Sequence, residues 1–124
     1  MICADTSSFI AFIKGEREPD VELVAQALAH CLLVLAPVSV AELLSDPDLP
    51  PSMEELILEV PRLEITVGYW ERAGRLRAVL VRRRLRPKIA DTLIAQNCLD
   101  HDVPLITRDQ DFLPFQKFGG LRLL

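Results

Sequence analysis

Short apolar runs alternate along the chain with segments whose apolar residues recur every three or four positions. An apolar run that stops at a polar residue or a proline is typical of a buried strand. Runs of this kind are MICADT, in which the strand ends at Asp5, LLVLAP, which Pro37 stops, LEIT (63–66), VPLIT (103–107) and LRLL (121–124).

The segments between these runs have the apolar spacing of amphipathic helices. They are TSSFIAFIKGE (6–16), PDVELVAQALAHC (19–31), SVAELLSD (39–46), SMEELILEV (52–60), TVGYWERAGRLRAVLVRRRL (66–85), a segment from about Lys88 to Asp100, and RDQDFLPFQKF (108–118). Thr6, Ser7 or Ser8 can cap the first helix. Ser39 can cap the third and form a capping box with Glu42.

Strands that alternate with helices are typical of a parallel sheet with helices on both faces, so the predicted fold class is α/β. The chain has 124 residues, half of them apolar and 26% charged, which is enough for a hydrophobic core. It contains no internal repeat, low-complexity segment or linker. We therefore expect a single domain over residues 1–124.

Composition also bears on the compartment. No run of about 18 or more apolar residues occurs, so we expect no transmembrane helix. The chain does not start with a basic and then apolar segment, so we expect no secretory signal and a cytoplasmic protein. Cys3, Cys31 and Cys98 are far apart and lack C-x-x-C spacing, which predicts reduced core thiols and no zinc site.

The positive charges are concentrated in one part of the chain. The net charge is −4, which does not favour nucleic acid, but eight of the 14 Lys and Arg residues lie between Arg72 and Lys88. Such a patch could bind phosphates. It could equally be a solvated helix face whose arginines pair with nearby acids.

Acidic residues occur where the predicted elements end or begin. Asp5 and Asp109 follow predicted strands, and Asp111 comes two residues later. Glu42 comes shortly after another strand, and Asp91 lies in the first turn of a helix. Because ligands of an open parallel sheet collect at the carboxyl ends of the strands, these acids can converge on one edge.

Each acid also has an ordinary structural explanation. Asp5 and Asp109 could be N-caps, and Glu42 could complete the capping box. Asp91 could favour the helix N-terminus through the dipole. All of them, however, lie among apolar neighbours. Crowded carboxylates raise one another's pKa unless a cation is present, and Mg²⁺ or Mn²⁺ prefers such oxygen ligands.

The segments ADTSSFI, SVAELL, IADTLIA and LITRDQDF, in this order between Ile2 and about Phe112, resemble those of PIN-domain ribonucleases of the VapC toxin type. The resemblance implies a three-layer α/β/α sandwich with a central, mostly parallel sheet. It also implies a metal-binding acidic quartet and two supporting hydroxyl residues: Asp5, Glu42, Asp91 and Asp109, with Thr6 and Thr107. Asp111 is an alternative fourth acid; Asp109 is favoured because it follows the strand directly.

The activity implied by the resemblance is that of an Mg²⁺- or Mn²⁺-dependent endoribonuclease. Asp5 and Asp91 would hold the primary metal, and Glu42 and Asp109 would position water or a second ion. No His–Cys or Ser–His–Asp set is evident, so a metal rather than a side-chain nucleophile would activate water. RNA phosphates would contact basic residues near the site, namely Arg82, Arg83, Arg84, Arg86, Lys88 and Arg108.

Proteins of this type also resemble one another in forming homodimers and in being inhibited by a small antitoxin. The resemblance therefore implies a homodimer and a cognate antitoxin, whose C-terminal segment would lie in a groove near the acids. Apolar residues of the predicted helices could line such a groove or could belong to the core: Phe9, Phe12, Ile13, Leu56 and Ile57.

Other functions fit the sequence less well. A haloacid-dehalogenase-type phosphatase needs a D-x-D run, and Ser7 stands where its second Asp should be. A nucleotide-binding module is disfavoured because neither G-x-G-x-x-G nor G-x-x-x-x-G-K occurs. The alternative that remains is a catalytically inactive PIN-like module that only binds RNA or protein.

Overall fold

Three parallel strands in the order β2-β1-β3 form the central sheet of the computed structural model, which describes residues 1–124. The strands are β1 (Ile2–Ala4), β2 (Leu33–Val34) and β3 (Leu105–Ile106). Ile2 pairs with Leu33, and Cys3 pairs with Leu105. The first strand is therefore central, although it pairs with a strand near the other end of the chain.

Helices fill the segments between and after the strands. They are α1 (Thr6–Ile13), α2 (Pro19–Ala29), α3 (Pro37–Leu44), α4 (Pro51–Glu59), α5 (Tyr69–Arg82), α6 (Ile89–His101), a 3₁₀ turn over Gln110–Phe112, and α7 (Leu113–Gly119). No helix is both long and apolar enough to cross a membrane.

The sheet separates two hydrophobic clusters, because successive residues of a strand face opposite sides. Cys3 belongs to the cluster that contains residues of α5, α6 and α7. Ala4 belongs to the other cluster, which contains residues of α1, α2, α3 and α4. This arrangement confirms the predicted α/β/α sandwich with a parallel sheet.

Two of the predicted strands are reduced to single bridges. LEIT contributes no strand; instead, Arg62 forms one parallel bridge with Leu35. LRLL likewise forms one bridge, between Leu123 and Leu105. Pro61 beside this bridge and Pro37, two residues after Leu35, have no N–H to donate, which limits the pairing at that edge.

Of the alternative caps predicted for α1, the structure confirms Asp5 and not the hydroxyl residues, and the predicted cap of α3 is wrong. Asp5 caps α1, because its carboxylate accepts the N–H of Ser8, whereas Thr6 and Ser7 lie inside the helix. α3 begins at Pro37, whose fixed φ suits the first helical position, so Ser39 lies within the helix and is fully buried. Without an N-terminal Ser39 there is no capping box, and Glu42 is free for another role.

Helix α5 is shorter than predicted at both ends. It starts at Tyr69 because Gly68 adopts φ +83°, which breaks the helical geometry before it. It ends at Arg82, and Arg84 has φ +62° in the left-handed region. The basic residues from 83 to 88 therefore form a connection between α5 and α6 rather than a helix face.

The prediction of three core thiols is correct for two of them. Cys3 and Cys98 are buried, and a hydrogen bond with Cys3, together with burial, raises the pKa of the Cys98 thiol. Cys31 is exposed, because it follows α2 in the turn that leads to β2, with φ +55°. No disulfide is formed by any of the cysteines.

Candidate functional site

Asp5 lies directly after β1 and is almost completely buried, with 2% of its surface exposed. Its Oδ1 accepts the Ser8 N–H at 3.0 Å and the Ser7 hydroxyl at 2.8 Å. Its Oδ2 accepts the Thr107 hydroxyl at 2.7 Å. Burial raises the pKa of Asp5, whereas these hydrogen bonds act in the opposite direction. The carboxylate is therefore held in one orientation by donors from two segments.

Thr107, directly after β3, connects two of the acids. Its hydroxyl donates to Asp5, and its oxygen accepts the Asp109 N–H at 2.9 Å. Because the strands that precede Asp5 and Thr107 pair in parallel, both side chains emerge at the same end of the sheet. Thr107 thus fixes the turn that carries Asp109.

Glu42 reaches the same region from α3. Its Oε1 accepts the Thr6 hydroxyl at 2.6 Å, a contact between residues 36 positions apart. Glu42 is exposed, as expected for a side chain at the mouth of a site. Thr6 therefore orients the Glu42 carboxylate from the first turn of α1.

Asp91 lies in the first turn of α6 and is half-buried. Its Oδ2 is buried and has no hydrogen-bond donor. Burial, and then the negative charges of Asp109, Asp111 and Glu42, raise the pKa of Asp91 to about 6, while Lys88 acts in the opposite direction. A buried, unpartnered carboxylate oxygen is costly, so this atom marks a place suited to a cation.

Asp109 and Asp111 lie on one tight turn. The Asp109 Oδ1 accepts the Asp111 N–H at 2.9 Å. One carboxylate oxygen from each of Asp91, Asp109 and Asp111 lies within 4.8 Å of the others. Both candidates for the fourth acid therefore approach Asp91, whereas Asp5 and Glu42 lie outside this tight group of carboxylates.

Asp5, Glu42, Asp91 and Asp109 all line one surface depression of about 240 Å³, together with Thr6 and Lys88. Acids from separate segments of the chain thus meet at the carboxyl end of the sheet. The donor set consists of carboxylate oxygens, which suits Mg²⁺ or Mn²⁺ rather than a softer metal. The oxygen of Asp91 that lacks a donor fits such an ion.

The exposed basic residues between α5 and α6 lie beside these acids. Arg86 and Lys88 line a second depression of about 200 Å³, which also contains Asp91 and Asp111. The Lys88 Nζ is 3.7 Å from a carboxylate oxygen of Asp111. The Arg83 guanidinium stacks over Phe118, 4.0 Å from its ring centre. Arg82 and Arg84, like Arg86, are exposed and form no ion pair.

Arg108 behaves differently from the other basic residues predicted to contact RNA. Its Nε donates to Asp20 Oδ2 at 2.8 Å, and its Nη2 donates to Asp20 Oδ1 at 3.1 Å. Its Nη1 lies 3.3 Å from Glu16. These acids occupy the guanidinium, so its partners in the structure are carboxylates of the first turn of α2 and of the segment before it.

Ser7, Ser8 and Asp20 contribute to the site, but sequence reasoning did not assign them to it. Ser7 and Ser8 hold Asp5, and the Ser8 hydroxyl donates to Asp20 at 2.8 Å. An Asp followed by small hydroxyl residues is a typical helix start; this signal gave Asp5 as a possible cap, and it could also have assigned Ser7 and Ser8 to holding its carboxylate. Nothing in the sequence pairs Asp20 with a residue 88 positions away.

Other predicted residues lie elsewhere. Phe9 and Ile57 are fully buried core residues, so they are not available to line an antitoxin groove. Phe12, Ile13 and Leu56 pack against the same cluster but remain half-buried. The histidines contact backbone oxygens away from the acids: His30 that of Gln26, and His101 that of Glu64.

Solved structures resemble this one over its whole length. FitAcB from Neisseria gonorrhoeae is 17% identical with a TM-score of 0.72, over 100% of this chain and 96% of that chain. VapBC2 from Rickettsia felis, bound to a DNA fragment from their promoter, is 20% identical with a TM-score of 0.72, over 100% of this chain and 98% of that chain. FitAB bound to an IR36 DNA fragment is 17% identical with a TM-score of 0.69, over 100% of this chain and 94% of that chain.

At these identities the structural likeness shows the fold, and no curated protein matches the chain. The sequence itself matches the family model described as "PIN domain" over residues 2–118. This match includes every acid of the depression and nearly all of the chain. The protein therefore belongs to the PIN-domain family.

Proposed function

We propose that this protein is a metal-dependent endoribonuclease of the VapC toxin type. The observation that carries the proposal is the meeting of Asp5, Glu42, Asp91 and Asp109 in one depression, where a buried oxygen of Asp91 has no donor. Membership of the PIN family supports a nuclease, since PIN domains generally hydrolyse nucleic acids. The sandwich structure positions these acids from four separate segments of the chain.

Asp91 would hold a divalent cation, together with Asp109 and Asp111, because these are the carboxylates whose oxygens lie within 4.8 Å of one another. Asp5 and Glu42 border the same depression and can contribute to the coordination of the ion or of its waters. We infer Mg²⁺ or Mn²⁺ from the all-oxygen donor set. Such an ion, when bound, supplies Lewis acidity and lowers the pKa of a bound water.

The chain's own residues orient the reacting groups. Thr6 fixes one oxygen of Glu42, which leaves the other carboxylate oxygen able to accept a hydrogen bond from the attacking water. Thr107 fixes the turn of Asp109, and Ser7, Ser8 and Thr107 prevent Asp5 from rotating. This preorganisation lowers the cost of arranging the site at the moment of reaction.

RNA would approach over the connection between α5 and α6. Arg86 and Lys88 lie in the depression next to Asp91 and can bind the phosphates that flank the scissile bond. Arg82 at the end of α5, together with Arg83 and Arg84 of the connection, extends the same exposed basic surface. Contacts of this kind give affinity and salt dependence but little sequence selectivity.

An antitoxin partner is part of the proposal. The similar structures FitAB and VapBC2 are two-component complexes bound to DNA fragments. By this likeness we infer that the chain binds a cognate antitoxin. From the resemblance of its acidic segments to those of VapC-type toxins, we further propose that it forms a homodimer and acts in the cytoplasm, where its RNA substrate is present.

The decisive test is RNA cleavage by the purified protein, with Mg²⁺ or Mn²⁺ added. Asp5→Asn and Asp91→Asn should each fold normally and lose cleavage. Asp102→Asn is a matched control, because Asp102 lies at the opposite end of α6 with a highly exposed side chain. Full activity in either site variant would contradict the acid assignment. Metal and RNA binding without any cleavage by the unmodified protein would favour the inactive binding module.

A further inference from the structure

Arg108 lies between two residues of the acidic site, Thr107 and Asp109, yet its side chain contacts a different part of the chain. The guanidinium binds both carboxylate oxygens of Asp20, at 2.8 and 3.1 Å. Glu16 and Glu18 lie 3.3 and 3.9 Å away. The side chain of Arg108 is 28% exposed and that of Asp20 only 11%, so the pair is shielded from water.

Asp20 is in turn connected to the first acid. The Ser8 hydroxyl donates to Asp20 Oδ2 at 2.8 Å, and the Ser8 N–H donates to Asp5 Oδ1 at 3.0 Å. On the other side, the Thr107 hydroxyl donates to Asp5 Oδ2 at 2.7 Å. The contacts therefore close a ring that runs through Asp5, Ser8, Asp20, Arg108 and Thr107.

The ring joins the two loops that carry acids of the depression. One loop joins β1 to α1 and holds Asp5; the other follows β3 and holds Asp109. A bidentate pair of guanidinium and carboxylate fixes the relative orientation of its two partners as well as their distance. The Arg108 hydrogen bonds also hold the pKa of Asp20 below its usual value, so the pair stays charged at neutral pH.

We propose that Arg108 and Asp20 are positioning residues for the nuclease site, which hold the Asp5 loop and the Thr107–Asp109 turn in register. The inference rests on the proposed function, because its readouts are metal binding and cleavage at that site. It differs from a contact between Arg108 and an RNA phosphate. For such a contact, Asp20 would be a competitor of the substrate rather than a part of the site.

The test compares Arg108→Met and Asp20→Asn with the unmodified protein. The readouts are kcat and KM on an RNA oligonucleotide, together with the Mn²⁺ dissociation constant from calorimetry. We expect kcat to fall about tenfold or more in both variants, and Mn²⁺ binding to weaken, because residues that orient metal ligands typically contribute about 10–100-fold. KM should stay within about twofold, since no phosphate contact is removed. The double variant should be no worse than either single one.

Ser8→Ala is a second variant that breaks the ring without leaving a buried charge unpaired. It removes the hydroxyl bond to Asp20 and keeps the N–H bond to Asp5, so it should show a smaller loss of kcat in the same direction. Arg17→Met and Glu22→Gln are matched controls, because both residues are exposed in the same region and form no ion pair in the structure. Neither control should change kcat or Mn²⁺ binding.

Other outcomes overturn the inference. A rise in KM confined to Arg108→Met, with Asp20→Asn unaffected or binding RNA more tightly, would assign Arg108 to the substrate. A lower melting temperature with unchanged kcat and Mn²⁺ affinity of the folded protein would make the pair purely structural. If the unmodified protein binds Mn²⁺ but cleaves no RNA, the proposed function fails, and the Mn²⁺ affinities of the variants still test the ring.

Discussion

The carboxylates at the two ends of α6, Asp91 and Asp100, have opposite electrostatic environments. At the N-terminal end, Asp91 has a buried oxygen without a donor, and burial and neighbouring acids raise its pKa to about 6. Near the C-terminal end, Asp100 accepts hydrogen bonds from Arg72 at 2.8 and 2.7 Å and from Gln96 at 2.7 Å. These bonds, that of Arg72 first, lower the pKa of Asp100.

The difference separates stability from function within one helix. Asp100 is compensated inside the protein, so its charge helps to hold α6 against α5. Asp91 is left uncompensated and repelled by other acids, a state that folding alone does not favour. An uncompensated carboxylate of this kind is expected at a site where a bound cation neutralises the charge. The expected effects below either sharpen this contrast or contradict it.

The largest effect is expected on catalysis. Asp91→Asn should reduce RNA cleavage by about a hundredfold or more, because the variant loses a charged ligand at the proposed metal site. Asp100→Asn should retain most of the cleavage rate of the folded protein, since Asp100 is at the far end of the helix. Initial rates on one RNA substrate at saturating Mg²⁺ measure both. Equal losses in the two variants would remove the contrast.

The next effect concerns stability. Asp100→Ala should lower the free energy of unfolding by about 2 kcal/mol, because it removes hydrogen bonds from Arg72 and Gln96 to a side chain that is only 8% exposed. Urea unfolding followed by circular dichroism measures the change. Asp102→Asn is the control at the C-cap of the same helix, because its side chain is 94% exposed and asparagine tolerates the positive φ of this position. A loss of less than about 0.5 kcal/mol, typical of surface pairs, would mean that Asp100 is not a structural anchor.

Replacing Asp91 in the metal-free protein should have a smaller effect on the free energy of unfolding, and of the opposite sign. Asp91 binds its proton more tightly when folded, so its ionisation costs stability as the pH rises from about 4 through about 6. Asp91→Asn should therefore stabilise the metal-free protein at pH 7 by about 1 kcal/mol, a value discounted because Asp91 is half exposed. The gain should disappear below about pH 4.

For Asp100 the dependence on pH is reversed. Folding lowers the pKa of Asp100, so its ionised carboxylate stabilises the folded protein above pH 3.8. This stabilisation is lost as the pH falls below 3.8. Thermal unfolding of both Asn variants between about pH 2 and pH 7.5, with and without Mg²⁺, measures these slopes. Added Mg²⁺ should stabilise the unmodified protein and not Asp91→Asn. Parallel slopes for the two variants would contradict the comparison.

The smallest expected effect is on RNA binding, and it distinguishes the basic residue beside Asp91, Lys88, from the one beside Asp100, Arg72. Lys88→Met should weaken RNA binding by about two- to fivefold and reduce the salt dependence by about one charge, because Lys88 is exposed beside Asp91 and Asp111. Arg72→Met should lower stability but leave the salt dependence unchanged, since Arg72 is committed to Asp100. Binding titrations at several salt concentrations measure both. An equal change in slope would contradict the proposed RNA surface.

Local rules predicted most of the fold. Apolar runs identified β1, β2 and β3, and helical spacing identified α2, α4 and α6 within a few residues. Errors arose where backbone geometry depends on one residue. Gly68 delays the start of α5, and Pro37 starts a helix at the point where it was expected only to end a strand.

The candidate site was predictable in composition but not in detail. The acids were found because strand ends meet at one edge of a parallel sheet, and all of the predicted quartet lines one depression. The approach of Asp111 to Asp91 depends on the 3₁₀ turn after Asp109, which the sequence does not specify. The pairing of Arg108 with Asp20 could not be predicted, because it depends on how distant loops pack.

The hydrogen bond between Thr107 and Asp5 joins residues 102 positions apart. Contacts between residues this far apart in the chain form slowly, because the entropy cost of closing a long loop is incurred before the contact can stabilise the chain. A chain still emerging from the ribosome, without β3 and the turn after it, lacks both Thr107 and Asp109. The proposed nuclease site would thus be completed only after β3 and the turn that follows it have been made, so a shorter nascent chain would lack it.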